Sequence, residues 1–321
     1  MLRHLARRAA VGVFVVAGVV TLTFFLLRFA PGDPVHQLLG PAATDEQIEV
    51  QRRALGFDQP LALQYFAWVG RFIRGDWGTS IASGRPVSAL LAEAWPATAI
   101  LVLLSLSASY LLGILIGAVQ AATRHRALDT ALSVTTVTLF AMPGYWLGLM
   151  LVMVFTYWLG VLPAFGAQGL DAEFLTGWQR LGDRLTHLAL PLVTLTLIGI
   201  GGVARFVRGA MLDVRNSPFI TVARAKGLPP RRITLRHVLG NALIPVVTLL
   251  GLSLPALFSG AVFVEAIFAW PGVGRVLVEA VRARDYPVVL AATSVSAMLV
   301  VIGNLLADFL ATRVDPRLRS P

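Results

Sequence analysis

The sequence predicts an all-α membrane protein with six transmembrane helices and both termini in the cytoplasm, and three observations carry that prediction. Apolar residues make up 56% of the chain, charged residues 14%, and mean hydropathy is +0.75, whereas soluble domains carry about 25% charged residues. Six uncharged runs, residues 9–27, 94–123, 130–170, 185–204, 238–264 and 286–307, match the ~20 residues a helix needs to cross a bilayer. The arginines between these runs are unevenly shared between alternate sides.

The first run follows Arg3, Arg7 and Arg8 and is 19 residues long. A secretory signal peptide has a shorter apolar region, about 7–15 residues, and ends at a small-residue cleavage site. This run ends at Arg28 and then Pro31-Gly32-Asp33-Pro34, which predicts an uncleaved first span. Residues 29 to 96 are polar and read as a long external loop. Within it, Thr44 with Gln47 forms a capping box and Gly56 closes that helix after Leu55. A second helix starts at Pro60, presents Leu61, Tyr65, Trp68, Val69 and Phe72 on one face, and stops at Gly75. That face is expected to pack on the membrane-embedded body, with a partner surface as the alternative.

The 41-residue run from 130 is too long for one helix, so a span is placed over 130–159, leaving residues 160–170 with Pro163 at the outer interface beside Trp158. Helix breakers recur: Pro143-Gly144 interrupts the third span, Pro191 begins the fourth, Gly199, Gly201 and Gly202 crowd its end, and Pro245 and Pro255 lie in the fifth. Such residues give ordinary kinks and close helix packing, or bends around a path that opens and closes.

If the segments alternate sides, residues 1–8, 124–129, 205–240 and the C-terminal tail share one side with 16 Lys/Arg and four acids, Asp129, Asp213, Asp308 and Asp315. The other side holds 11 Lys/Arg and 13 acids. The positive-inside rule assigns the first side to the cytoplasm. The net charge of +10 therefore reports topology rather than nucleic-acid binding.

Residues 216 to 245 form the longest basic interruption and contain the sole lysine, Lys226. Ser217 suits an N-cap, Pro218 the first helical position, and Gly227 with Leu228 and two prolines ends the helix. A helix of about nine residues is marginal alone and needs a surface to dock on. A basic loop touching lipid headgroups is the plainer alternative.

Chemistry of other kinds finds little support. There is no cysteine, and the five histidines are dispersed, none at i, i+4 from another, so no metal or thiol site is expected. The lone lysine lies in Ala-Lys-Gly, not the Gly-Lys-Ser/Thr of a phosphate loop, and no cofactor is implied. An ion-coupled secondary transporter places acids within its spans, but here only Asp308 qualifies, read as an anchor paired with Arg313. An intramembrane protease would need more than scattered hydroxyls such as Ser105, Ser107, Ser133 and Ser253. The chain reads as supplying a path without supplying energy. A stand-alone transporter or channel is the rival.

The loop resembles the cytoplasmic coupling loop of ATP-binding-cassette importer permeases, in the form found in the dipeptide, oligopeptide and nickel group. Ala223-Arg224-Ala225-Lys226-Gly227-Leu228 carries the likeness, followed by His237 and Asn241-Ala242-Leu243-Ile244-Pro245. Against the broader pattern of Glu-Ala-Ala, three residues, Gly, this chain has Thr221-Val222-Ala223, so the glutamate is missing. Four further stretches fit in order. They are Phe29-Ala30-Pro31-Gly32-Asp33-Pro34, the pair Leu55-Gly56-Phe57-Asp58-Gln59-Pro60-Leu61 and Gly75-Asp76-Trp77-Gly78-Thr79-Ser80, then Glu265 through Arg275, and Asp285-Tyr286-Pro287 with the tail Asp315-Pro316-Arg317.

The resemblance implies a type I ABC importer permease fold, with residues 1–96 as an N-terminal helix plus external loop and 97–315 as the transmembrane core holding the coupling loop 216–240. It implies a second homologous permease subunit, two cytoplasmic ATP-binding subunits and an extracytoplasmic substrate-binding protein, in a bacterial or archaeal plasma membrane, the inner membrane if Gram-negative. Ser217, Pro218, Phe219, Thr221, Ala223, Arg224, Ala225, Lys226, Gly227 and Leu228 would form the ATPase-coupling unit, with small Ala223 and Ala225 allowing close approach and Arg224 and Lys226 offering charge. Residues 230–239 would be a ramp into the fifth span. Peptides are the expected cargo; nickel complexes, glutathione-like compounds and oligosaccharides are compatible.

Overall fold

The computed structural model describes residues 2–29, 35, 39–40, 42–54 and 56–314. Expectations for residues 30–34, Leu55 and Asp315-Pro316-Arg317 lie outside the described residues, as do the side chains of Pro255, Asp308 and Arg313. The described chain is helical: α1 (Leu2–Phe29), α2 (Asp45–Ala54), α3 (Leu61–Ile73), α4 (Val87–Ala122), α5 (Arg126–Ala141), α6 (Gly144–Val152) running on as a π-helix over Met153–Trp158, and α7 (Gly177–Arg215). The short α8 (Pro218–Ala225) follows. One turn at Pro230–Arg232 and a π-helical stretch, Ile233–Leu239, then lead without a break into α9 (Gly240–Ile267), before α10 (Val273–Arg282) and α11 (Tyr286–Val314).

By length and composition, four described stretches suit a membrane crossing, Arg7–Phe29, Val87–Ala122, Gly177–Arg215 and Tyr286–Leu305. The pair α5 and α6 with its π-helical extension makes up to five. Leu22, Leu26, Leu103, Leu111 and Leu115 are more than half exposed on these helices. That is costly in water and natural against lipid.

The interruption expected at Pro143-Gly144 is a full break: α5 and the helix from Gly144 meet at 105°, because Pro143 lacks an amide hydrogen and holds Met142 extended (φ −74°, ψ 130°). Two boundaries depart from the sequence reading. Pro191 does not begin the fourth span but sits inside α7, which starts at Gly177. Likewise Pro96 is internal to α4, which starts at Val87. In a long helix one lost ladder bond is tolerated when neighbouring groups compensate.

The chain divides into two compact units, one of residues 2–98 with 271–301, the other of residues 99–270 with the chain from 302 onward. In the first unit the capping box of α2 is formed as expected: the Thr44 amide donates to Gln47 Oε1 at 3.0 Å and the Gln47 amide to Thr44 Oγ1 at 3.3 Å. Trp68 and Phe72 of α3 are buried with Val20 and Phe24 of α1 and residues 288–292 of α11, and Trp68, Phe72 and Trp77 stack in sequence. Leu61 is exposed rather than part of that face, and Gln64 is buried in its place, donating to the Phe57 and Gln59 carbonyls. Asp285, almost fully buried, accepts from Ser80 Oγ at 2.5 Å and from the amides of Ile81 at 3.1 Å and Ala82 at 3.2 Å. One carboxylate thus pins the chain after α3 to the start of α11.

The second unit is packed through glycine. A Cβ on Gly117 of α4 would lie 2.5 Å from the Ala204 carbonyl and 2.9 Å from Val207 Cβ, and one on Gly113 2.7 Å from Val203. On the other side of α7, a Cβ on Gly201 would lie 2.6 Å from the Thr136 carbonyl of α5. Small residues at four-residue spacing let helices approach this closely. Three helices are therefore held backbone to backbone just before the basic segment.

Candidate functional site

The expected coupling unit is a formed helix of eight residues, Pro218–Ala225. Ser217 has the extended backbone of an N-cap (φ −73°, ψ 146°), but its hydroxyl bonds backward to the Asp213 carbonyl at 3.4 Å and does not cap. Pro218 fills the first helical position, where no amide donor is needed. At the other end Lys226 is the C-cap and Gly227 has φ +74°. The Gly227 amide donates to the Arg224 carbonyl at 2.9 Å and the Leu228 amide to the Ala223 carbonyl at 3.4 Å. That pair of bonds is a Schellman closure.

Burial sorts the side chains into two faces. Ile220 is fully buried and Ala223 nearly so, and the helix packs against the π-helical stretch, whose Ile233 and Val238 are also buried. Burying one isoleucine contributes about 1.5–3 kcal/mol, which supplies the anchor a short helix lacks alone. Ala223 therefore spaces α8 from its own chain rather than from a partner. The outward face presents Phe219 at 46% and Val222 at 53% exposure, with Thr221, Arg224, Ala225 and Lys226 also exposed. Arg231, Arg232, Leu235 and Arg236 continue that exposed surface along the ramp. Residues 216–245 contain no acid, so the surface is apolar at its centre and cationic around it.

Arginines just upstream hold this platform. Arg208 on α7 grips Asp129 with two bonds, Nε to Oδ1 at 3.1 Å and Nη2 to Oδ2 at 2.9 Å. Arg215 Nη1 donates to the Ala121 carbonyl at the end of α4 at 3.1 Å, and the Arg205 guanidinium lies 4.4 Å from the Phe140 ring centre. The exposed face of α8 and the ramp is thus an apolar and cationic surface carried on packed helices. Ile220 and Leu235 carry no motif in the sequence, and Val222 figures there only within Thr221-Val222-Ala223; the spacing of Ile220 and Ala223, three apart between helix-start and helix-stop signals, is the available clue.

Two family descriptions match: "binding-protein-dependent transport system inner membrane component" over residues 109–320, and the N-terminal part of such membrane components over residues 1–102. The chain is 38% identical over 319 residues to the oligopeptide transport system permease protein AppB of Bacillus subtilis, covering 99% of both chains. It is 39% identical to the probable D,D-dipeptide transport system permease protein DdpB of Escherichia coli, covering 95% of this chain and 94% of that one. Its fold is similar to a chain of the inward-facing MetNI methionine ABC transporter, with a TM-score of 0.56 at 18% identity, covering 72% of this chain and 98% of that one.

Proposed function

The chain belongs to the family of binding-protein-dependent transport system inner membrane components, and from that premise we propose that it moves peptides, with α8 as the helix that couples transport to ATP hydrolysis. It is a multi-pass, non-catalytic permease subunit of an ATP-binding-cassette importer, working with a substrate-binding protein and with separate subunits that hydrolyse ATP. Peptide cargo is supported by the names of relatives aligned over nearly the whole chain.

The observation that carries the coupling assignment is the two-faced α8, anchored by Ile220 and exposing Phe219 and Val222 in a cationic surround. The finer architecture is part of the same reading. Six crossings result when α9, uncharged until Glu265, joins the five candidates. The arginine distribution orients both termini and α8 to the cytoplasm, and a second homologous permease and two ATP-binding subunits complete the assembly in a bacterial or archaeal plasma membrane. The coupling unit remains residues 217–228, with Ile220 added as its anchor.

The test replaces both Phe219 and Val222 by Ser. The permease should still insert and recruit its partner permease, while the ATP-binding subunits no longer co-purify with it. Retention of those subunits with coupled hydrolysis at the original rate would overturn the assignment. For cargo, the ligand carried by the co-purified binding protein should be a peptide by mass spectrometry; a non-peptide ligand refutes that part alone.

A further inference from the structure

The external loop contains a helix with a broad apolar face left uncovered. Along α3, Leu63, Phe66 and Ile73 are exposed at 57%, 69% and 78%. With Ala62, Ala67 and Gly70 they occupy an arc of about 140° of the helix circumference at 100° per residue. The opposite side carries the buried Trp68 and Phe72. A helix with one apolar face packed on protein and a second one uncovered, leaving only a narrow polar strip, is suited to lipid rather than to an aqueous surface.

Its position along α1 is fixed by Tyr65. The Tyr65 hydroxyl is 2.7 Å from the Thr21 hydroxyl, and its ring packs on Phe24 and Phe25 with centroids at 5.3 and 6.0 Å. Thr21 lies eight residues before the end of α1, about 12 Å along the axis. The apolar stretch Arg7–Phe29, 23 residues long, spans about 35 Å, against a hydrocarbon core of about 30 Å. Tyr65 therefore meets α1 inside the hydrocarbon layer.

The polar residues of α3 point the other way round the helix. Gln64 and Arg71 share a face and line a cavity of about 590 Å³ with Arg28, the last charged residue of α1. On α1 itself Leu22, Leu26 and Phe29 are exposed, an apolar stripe of the kind that faces acyl chains.

We propose that α3 is an interfacial membrane helix, set into the leaflet at the C-terminal end of α1, with Leu63, Phe66 and Ile73 buried among acyl chains and the exposed Arg71 facing the headgroup level. Interfacial helices sink an apolar face about 5–10 Å into the headgroup–acyl boundary while keeping basic side chains at the headgroups. The segment read as an extramembrane layer is then partly a membrane element.

The chain has no cysteine, so each substitution places a single label in this subunit, which is labelled before assembly with its partners. Phe66→Cys and Ile73→Cys, each carrying a nitroxide, are placed in the full transporter reconstituted in phosphatidylethanolamine–phosphatidylglycerol vesicles, with Val15→Cys in α1 and Glu46→Cys in α2 as lipid and water references. Collision with oxygen should exceed collision with a water-soluble nickel chelate severalfold at 66 and 73, as at 15. Nickel accessibility equal to that at 46 overturns the proposal, and so does shielding from both reagents, which would mean a protein covers the face. If Phe66→Cys fails to assemble, Leu63→Cys reads the same face.

Discussion

Replacing Gly227 by Leu tests whether α8 works as a closed, rigid unit. Gly227 sits at φ +74°, and a Cβ built there would meet nothing within 4 Å. The Cβ itself therefore meets no clash, and the cost at that atom is conformational: about 1–2 kcal/mol for a non-glycine residue in the left-handed region. If the chain escapes that strain by leaving the conformation, it loses the two closing bonds from Gly227 and Leu228, each about 0.5–1.5 kcal/mol. Either route lowers the population of the closed C-terminus by roughly 5- to 30-fold. Asn tolerates the left-handed region best among other residues, so Gly227→Asn is the control that adds a side chain of similar size with little strain. In reconstituted complexes, substrate-stimulated ATP hydrolysis should fall severalfold for Leu and remain near the original for Asn, with assembly unchanged by size-exclusion chromatography. Unchanged coupling in an assembled Gly227→Leu complex would refute the reasoning. Equal damage from Asn would show that bulk against a partner, not backbone conformation, sets the effect.

Three further substitutions probe packing within each of the two units. Asp285→Ala leaves the buried Ser80 hydroxyl and the part-buried Ile81 and Ala82 amides without their acceptor; at about 1–3 kcal/mol for the buried hydroxyl and about 0.5–1.5 kcal/mol for each amide the loss should be about 2–6 kcal/mol; thermal unfolding and protease cleavage near residue 82 measure it, and a loss under about 1 kcal/mol contradicts the pinning role. Gly117→Ala and Gly209→Ala should act with opposite signs, since the first Cβ meets the Ala204 carbonyl at 2.5 Å and the second meets nothing within 4 Å. Overpacking costs about 1–3 kcal/mol, whereas relieving glycine in an open helix position stabilises by about 0.5–1 kcal/mol. Equal shifts in melting temperature would refute the close approach of α4 and α7.

Local signals in the sequence transferred well because their causes are local. The capping box at Thr44 and Gln47, the left-handed glycines at 56, 75 and 227 and the proline start of α8 each depend on two to four adjacent residues. Features set by distant neighbours were harder to see. Gly113 and Gly117 look like any span glycines until Val203, Ala204 and Val207 are placed against them. Arg205, Arg208 and Arg215 count as three equal charges in a topology argument, yet the structure gives them a ring, a carboxylate and a carbonyl as partners. Gln64 was passed over because an amide is not expected on a buried face, and only the fold supplies the two carbonyls that satisfy its nitrogen. The extent of α7 is hidden for the opposite reason: Pro191 is a strong local start signal, but fourteen residues of helix precede it.

The burial of Ile220 decides how displacement of α8 would travel. A helix on a slack loop absorbs a push by swinging away from its base. For α8 to swing, Ile220 and Ala223 must leave their packing on the π-helical ramp, and the buried Ile233 and Val238 of that ramp lose cover with them. Exposing one isoleucine alone costs about 1.5–3 kcal/mol, so the separated state is at least roughly tenfold rarer than the packed one. The connection is also stiff, since Pro229 and Pro230 restrict the backbone between Leu228 and the ramp. The ramp and α9 run as one helical stretch from Pro230 to Ile267, 38 residues that span about 57 Å. On the proposed coupling role, a partner that moves Phe219 and Val222 therefore moves the base of α9 with them.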